Sequence, residues 1–269
     1  MQTFDAATAL ERSAPGSFSW TVPDGWHVGR GAWGGLIVGA LIRAVTACED
    51  DAVRTVRSVS AELVAPALVG DITIATRLLR AGSGLSSWEA AATDPEGALV
   101  ARLTAVLARP RESSADLDYS TWRFPAPPEA PSAEQVPVVP IAPPFGPEFA
   151  QQMEMRPLHG IPATGESADV LGYIRFLQPV SHTAASLIAL VDGWWPATLT
   201  AIDRMRPIAT VNFSSNLVVD PASIAPDELL LHHGMAAGAS DGFASEHRQL
   251  WTSDGRLAVD NLQSIVLIA

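Results

Sequence analysis

The chain writes one structural unit twice: a short, almost wholly apolar helix followed by a run of strands, once in each half. The first helix reads Gly34-Gly35-Leu36-Ile37-Val38-Gly39-Ala40-Leu41-Ile42-Arg43-Ala44-Val45, and the second reads Thr183-Ala184-Ala185-Ser186-Leu187-Ile188-Ala189-Leu190-Val191-Asp192. Four stretches with strand character follow each helix. The last stretch opens alike in the two halves, with Gly97-Ala98-Leu99 and Gly255-Arg256-Leu257. A helix that is apolar nearly all round must be buried. Strands joined by short turns, here Asp94 to Gly97 and Ser253 to Gly255, make an antiparallel sheet. The pattern predicts an α+β fold with two antiparallel sheets, each wrapping a central apolar helix. Residues 1–109 hold the first unit and residues 151–269 the second. Between them, residues 110–150 carry ten of the 21 prolines and read as an extended linker.

A duplicated unit also says where to look for chemistry, because function resides where the copies differ. Only the second helix ends in a carboxylate, Asp192. An isolated carboxylate against an apolar helix face carries a desolvation cost unless it is hydrogen bonded. On the residues alone it reads either as a functional acid or as a helix-end aspartate reaching solvent, Arg204 or Arg206. The second difference is Gln263, eight residues past Gly255; the position eight past Gly97 is Ala105. An amide in a strand of Leu, Ile and Val needs an internal partner, whether structural or functional. Thr210, in Ile208-Ala209-Thr210-Val211-Asn212-Phe213, opens a strand that must pass the helix, and the same two readings hold for it.

Other chemistries fit poorly. A net charge of -12, with 17 basic residues that are all Arg and form no dense run, argues against a nucleic-acid partner. No apolar run approaches the ~20 residues of a membrane helix. The first residues have no basic region leading into an apolar stretch, and Cys48 is the single cysteine; a cytoplasmic protein is expected. The six histidines lack metal-ligand spacing on a helix, so no metal is expected, although His27 and His182 lie near the two helix entries. Gly29-Arg30-Gly31-Ala32-Trp33-Gly34 matches a dinucleotide fingerprint, but strands follow strands after it, where that fold alternates strands with helices. Gly238 to Gly242 matches a nucleophile elbow, yet a strand follows Ser240 where that motif needs a helix.

The order helix-borne Asp192, then Ala209-Thr210-Val211-Asn212-Phe213-Ser214, then Trp251 through Asp254-Gly255-Arg256-Leu257 to Asn261-Leu262-Gln263 resembles the acyl-CoA thioesterase II family, whose members are double hotdogs. In the first half, Gly34-Gly35, the Pro66 to Gly70 turn and Leu79-Arg80-Ala81-Gly82 agree with it. The resemblance implies hydrolysis of an acyl-CoA thioester to free acid and coenzyme A, with no cofactor. Asp192, Thr210 and Gln263 would hold the attacking water, and backbone N–H groups of Gly34 and Gly35 would form the oxyanion hole. Trp33, Trp194 and Trp195 would line the acyl tunnel, or else serve as core or oligomer contacts. A homo-oligomer is expected, because curved sheets leave edges to cover. Two features depart from the family pattern: Asn212-Phe213 stands where many members carry a histidine, and Leu36 follows the glycines in place of Gln. The alternative is a double hotdog that binds acyl-CoA or lipid without hydrolysing it.

Overall fold

In the computed structural model, which describes residues 2–268 other than 112, 113, 115–117 and 119–121, the duplicated unit becomes a near-symmetric pair. The first half contains a short helix α1 (Phe4–Ala7), strands β1 (Glu11–Ala14) and β2 (Ser17–Val22), and a small hairpin of β3 (His27–Val28) and β4 (Gly31–Ala32). The apolar helix α2 (Gly34–Cys48) follows, then β5 (Thr55–Leu63), β6 (Gly70–Ala81), β7 (Leu85–Thr93) and β8 (Leu99–Ala108). The second half has β9 (Met153–His159), β10 (Asp169–Phe176), helix α3 (Ala184–Val191), β11 (Ile208–Leu217), β12 (Leu230–Ser240), β13 (Phe243–Trp251) and β14 (Leu257–Leu267). The edge strand β9 has no sequence signal of its own: Pro157 sits within it, which only an edge tolerates.

The expected two sheets are in fact one. Twelve antiparallel strands run β1-β2-β6-β7-β8-β5-β11-β14-β13-β12-β10-β9, and the order reads the same from either end when each strand is exchanged for its counterpart. The join is β5 against β11, with Ser60 opposite Ser214 at its centre. Left separate, each unit would present an unpaired strand edge there; pairing the two edges satisfies both. Against this sheet α2 packs on β2 and β5 to β8, while α3 packs on β10, β11, β13 and β14, and the two helices also pack on each other. No helix among the described residues is long and apolar enough to cross a membrane.

Local sequence explains how the helices meet. Thr183 and Ser186 form a reciprocal capping box that starts α3, and Asp192 caps its end. The start of α2 lies on the last turn of α3 because Gly35 has no side chain: a Cβ there would stand 2.3 Å from the Trp33 ring and 2.8 Å from the Ala189 carbonyl oxygen. The segment before β9 is held on the protein surface, with Tyr173 donating to the Pro131 carbonyl at 2.6 Å and Phe149 stacked on Trp33 at 4.8 Å. Part of the 110–150 stretch lies outside the described residues.

Candidate active site

Asp192 ends α3 at the point where the start of α2 meets the second half of the sheet, and it is buried. Its Oδ2 accepts the Gly35 N–H at 2.9 Å, and its Oδ1 accepts Gln263 Nε2 at 2.8 Å and Arg248 Nη1 at 3.3 Å. Gln263 in turn accepts the Thr210 hydroxyl on its Oε1 at 3.1 Å. The structure thus brings Asp192, Gln263, Thr210 and Gly35 into one hydrogen-bonded chain drawn from α3, β14, β11 and α2. Burial pushes the Asp192 carboxyl above the usual aspartate range, and this outweighs the opposing pull of Arg248, Gln263 and Gly35.

Two sequence expectations change, and the tryptophans follow the core reading of the two given for them. The ionic partner of Asp192 is Arg248, not Arg204 or Arg206. Gly35 is not free to serve an oxyanion, because its N–H is directed at Asp192; Gly34, at the first position of α2, has no helical carbonyl ahead of it to accept its N–H. The tryptophans are packed by protein. Trp33 lies between Trp26 and Phe149 and donates from Nε1 to the Asp192 backbone carbonyl at 3.0 Å, which fixes the end of α3. Trp194 is buried against Trp195 and stacks on His232 at 5.2 Å, and Trp195 donates to the Gly160 carbonyl at 2.8 Å. A cavity of about 410 Å³ lies elsewhere, at the far end of α2, lined by Glu49, Asp51, Arg54, Trp88 and Arg109 among others.

Sequence reasoning missed a cluster beside Asp192. Arg248 and Glu246 are both buried on the inward face of β13, with Arg248 Nε donating to Glu246 Oε1 at 2.8 Å. Alternation along Ala244, Glu246, Arg248 and Leu250 was the available signal, since it places two charges among inward residues. Sheet register identifies what replaces them in the first half. Ala105 pairs with Val59 and Trp88, as Gln263 pairs with Phe213 and Glu246. Ala90 pairs with Leu103 as Arg248 pairs with Asn261, and Ile74 with Ala92 as His232 with Leu250. One face therefore reads Ile74, Trp88, Ala90 and Ala105 in the first half, and His232, Glu246, Arg248 and Gln263 in the second. All four polar residues are buried. Burial and the neighbouring Arg248 hold the His232 ring well below the usual histidine range.

The helix-entry histidines take no part in this site. His182 is buried just ahead of the Thr183 cap, at the opposite end of α3 from Asp192, and burial holds its ring below the usual range. His27 lies with Asp24 and Glu148, whose ligand atoms fall within 4.8 Å of one another; among the described residues this is the one group with metal-like spacing.

The contact at Gly35 gives a direct test. Gly35→Ala should lose at least ~1–3 kcal/mol of stability, the usual range for overpacking, because the new methyl meets a backbone carbonyl and a ring wedged between two others. Urea unfolding of the variant measures this, and wild-type stability would show that α2 and α3 can separate freely at this point.

Residues 22–108 match the sequence family of acyl-CoA thioesterase N-terminal domains, and residues 125–267 match that of acyl-CoA thioesterase C-terminal domains. No curated protein matches the chain. Among solved structures, a conserved protein of unknown function with hot dog fold from Alicyclobacillus acidocaldarius is 25% identical; the match covers 100% of this chain and 99% of that one, with a TM-score of 0.89. The acyl-CoA thioesterase II TesB2 from Mycobacterium marinum is 14% identical, with 99% and 98% covered and a TM-score of 0.78. At that identity the likeness speaks for the fold.

Proposed function

The chain belongs to the acyl-CoA thioesterase family, and from that premise we propose that it hydrolyses an acyl-CoA thioester to a free acid and coenzyme A, using water activated at Asp192. The observation that supports this reading is the chain of hydrogen bonds from Asp192 through Gln263 to Thr210. An ionised carboxylate offers about four lone-pair positions. Gly35, Gln263 and Arg248 donate to that of Asp192, and in the proposed site a water points a hydrogen at the same carboxylate. A hydroxyl and an amide beside that water fix its orientation, and orientation is a large part of the rate.

In the proposed reaction Asp192 takes a proton as the water oxygen bonds to the thioester carbonyl carbon. The negative charge that develops on the carbonyl oxygen meets the positive end of the α2 dipole, with the Gly34 N–H as donor. Collapse of the tetrahedral species breaks the C–S bond. The proton held by Asp192 passes to the departing sulfur, so the carboxylate is regenerated. The first half supplies the helix start and the second supplies the base, in keeping with the polar face found in that half alone. We further propose a cytoplasmic homo-oligomer, since β1 and β9 leave the two outer sheet edges for a second copy to cover.

Release of free thiol from a series of acyl-CoAs tests the proposal. Turnover supports it; binding of the same acyl-CoAs with no thiol released would replace it with the binding-module reading. With an active substrate, Thr210→Val should lower kcat by about 3- to 10-fold, the worth of one hydrogen bond that only positions water. An unchanged kcat would remove Thr210 from the site.

A further inference from the structure

A buried guanidinium and a second buried carboxylate lie beside Asp192. Arg248 Nη1 reaches Asp192 Oδ1 at 3.3 Å and the Trp194 carbonyl at 3.4 Å, while its Nε donates to Glu246 Oε1 at 2.8 Å. Glu246 is itself fixed from behind, its Oε2 accepting the Thr198 N–H at 3.3 Å and the Thr198 hydroxyl at 3.4 Å. The chain Thr198, Glu246, Arg248, Asp192 therefore runs from a 3-10 turn through β13 to the end of α3. Nothing in the fold demands charges there, because Trp88 and Ala90 occupy the same register in the first half.

We propose that Arg248, anchored by Glu246, is a positioning residue that fixes the Asp192 carboxylate and keeps it charged within the buried site. The inference rests on the Asp192 reading and extends it. The charged or titratable groups around Asp192 are Arg248 and Glu246 of β13 and His232 of β12, which reaches the Val191 carbonyl at 3.3 Å. From α2 and β14 come only the Gly35 N–H and the Gln263 amide. Arg248 touches both carboxylates, and burial beside Arg248 disfavours a second positive charge on His232. The planar Arg248 fork holds one carboxylate with Nη1 and the other with Nε, a geometry the single ammonium of a lysine does not reproduce.

The test follows the Asp192 carboxyl itself by carbon NMR across pH, in protein labelled at aspartate, with Asp192→Asn used to assign the resonance. In Arg248→Met/Glu246→Leu, which removes both charges together, the Asp192 titration midpoint should rise by about one pH unit, the low end of the ~1–3 units an opposite charge in contact is worth, because Arg248 touches Asp192 whereas Glu246 reaches it only through Arg248. The acid limb of kcat/KM should move up with it, with KM changed less than about threefold. Arg248→Lys, which keeps the charge and is the safer variant to fold, should hold the midpoint near its original place while kcat falls by about tenfold. An unmoved midpoint in the double variant overturns the inference, as does a lysine variant with full kcat. A raised midpoint in a protein whose Asp192→Asn form still turns over would sustain the control of charge by Arg248 and remove the base role from Asp192.

Discussion

Asp192→Asn should lower kcat by at least ~100-fold in a protein that still folds, the lower range for loss of a general base. The substitution keeps the size of the side chain and an oxygen for the Gly35 N–H, but removes the group that accepts a proton from water. The pH profile carries the same assignment in a second form. The reactive species is the ionised carboxylate, so activity must rise with pH through the Asp192 titration. Because burial pushes that titration above the usual aspartate range, the rise should lie at higher pH than an exposed aspartate would give. Steady-state kinetics on a thiol-releasing substrate, taken from acid to neutral pH, reads both effects. Unchanged kcat in folded Asp192→Asn, or an acid limb at the position of an exposed aspartate, would remove Asp192 from its role.

How much of this was legible in advance follows from which contacts are local. The apolar helices and the alternating strands are written in short windows, and so are the capping of α3 by Thr183 and the turns at Gly97 and Gly255. Gln263 was found because the two copies could be aligned on those turns, and sheet register pairs it as Ala105 is paired. The fusion of the units into one sheet was not legible, because an exposed strand edge and a paired one carry the same alternation; only the assembled β5 and β11 distinguish them. The use of the Gly35 N–H was hidden for a similar reason, since it joins residues 157 apart in the chain. Arg248 and Glu246 were readable as inward by alternation, yet an inward charge becomes meaningful only once its partner across the core is known.

Arg248→Met alone should destabilise the protein by about 3–5 kcal/mol, the range for removing one member of a buried ion pair, whereas Arg248→Met/Glu246→Leu should cost clearly less. In the single variant Glu246 keeps its Thr198 contacts but loses the guanidinium that balanced its charge, and Asp192 loses the same cation. Both carboxylates then lie buried with no positive charge in contact. Replacing Glu246 as well removes one of them, and the fold has already shown that the register accepts apolar groups: Trp88 and Ala90 fill it in the first half. Denaturant unfolding of wild type, the two singles and the double, all at one pH, gives the coupling directly. A double variant no more stable than Arg248→Met would mean that the pair is held for the strength of the fold. A double variant close to wild type in stability but weakened in turnover means that the second half keeps these charges for the chemistry at Asp192, at a place where the first half shows that stability does not need them.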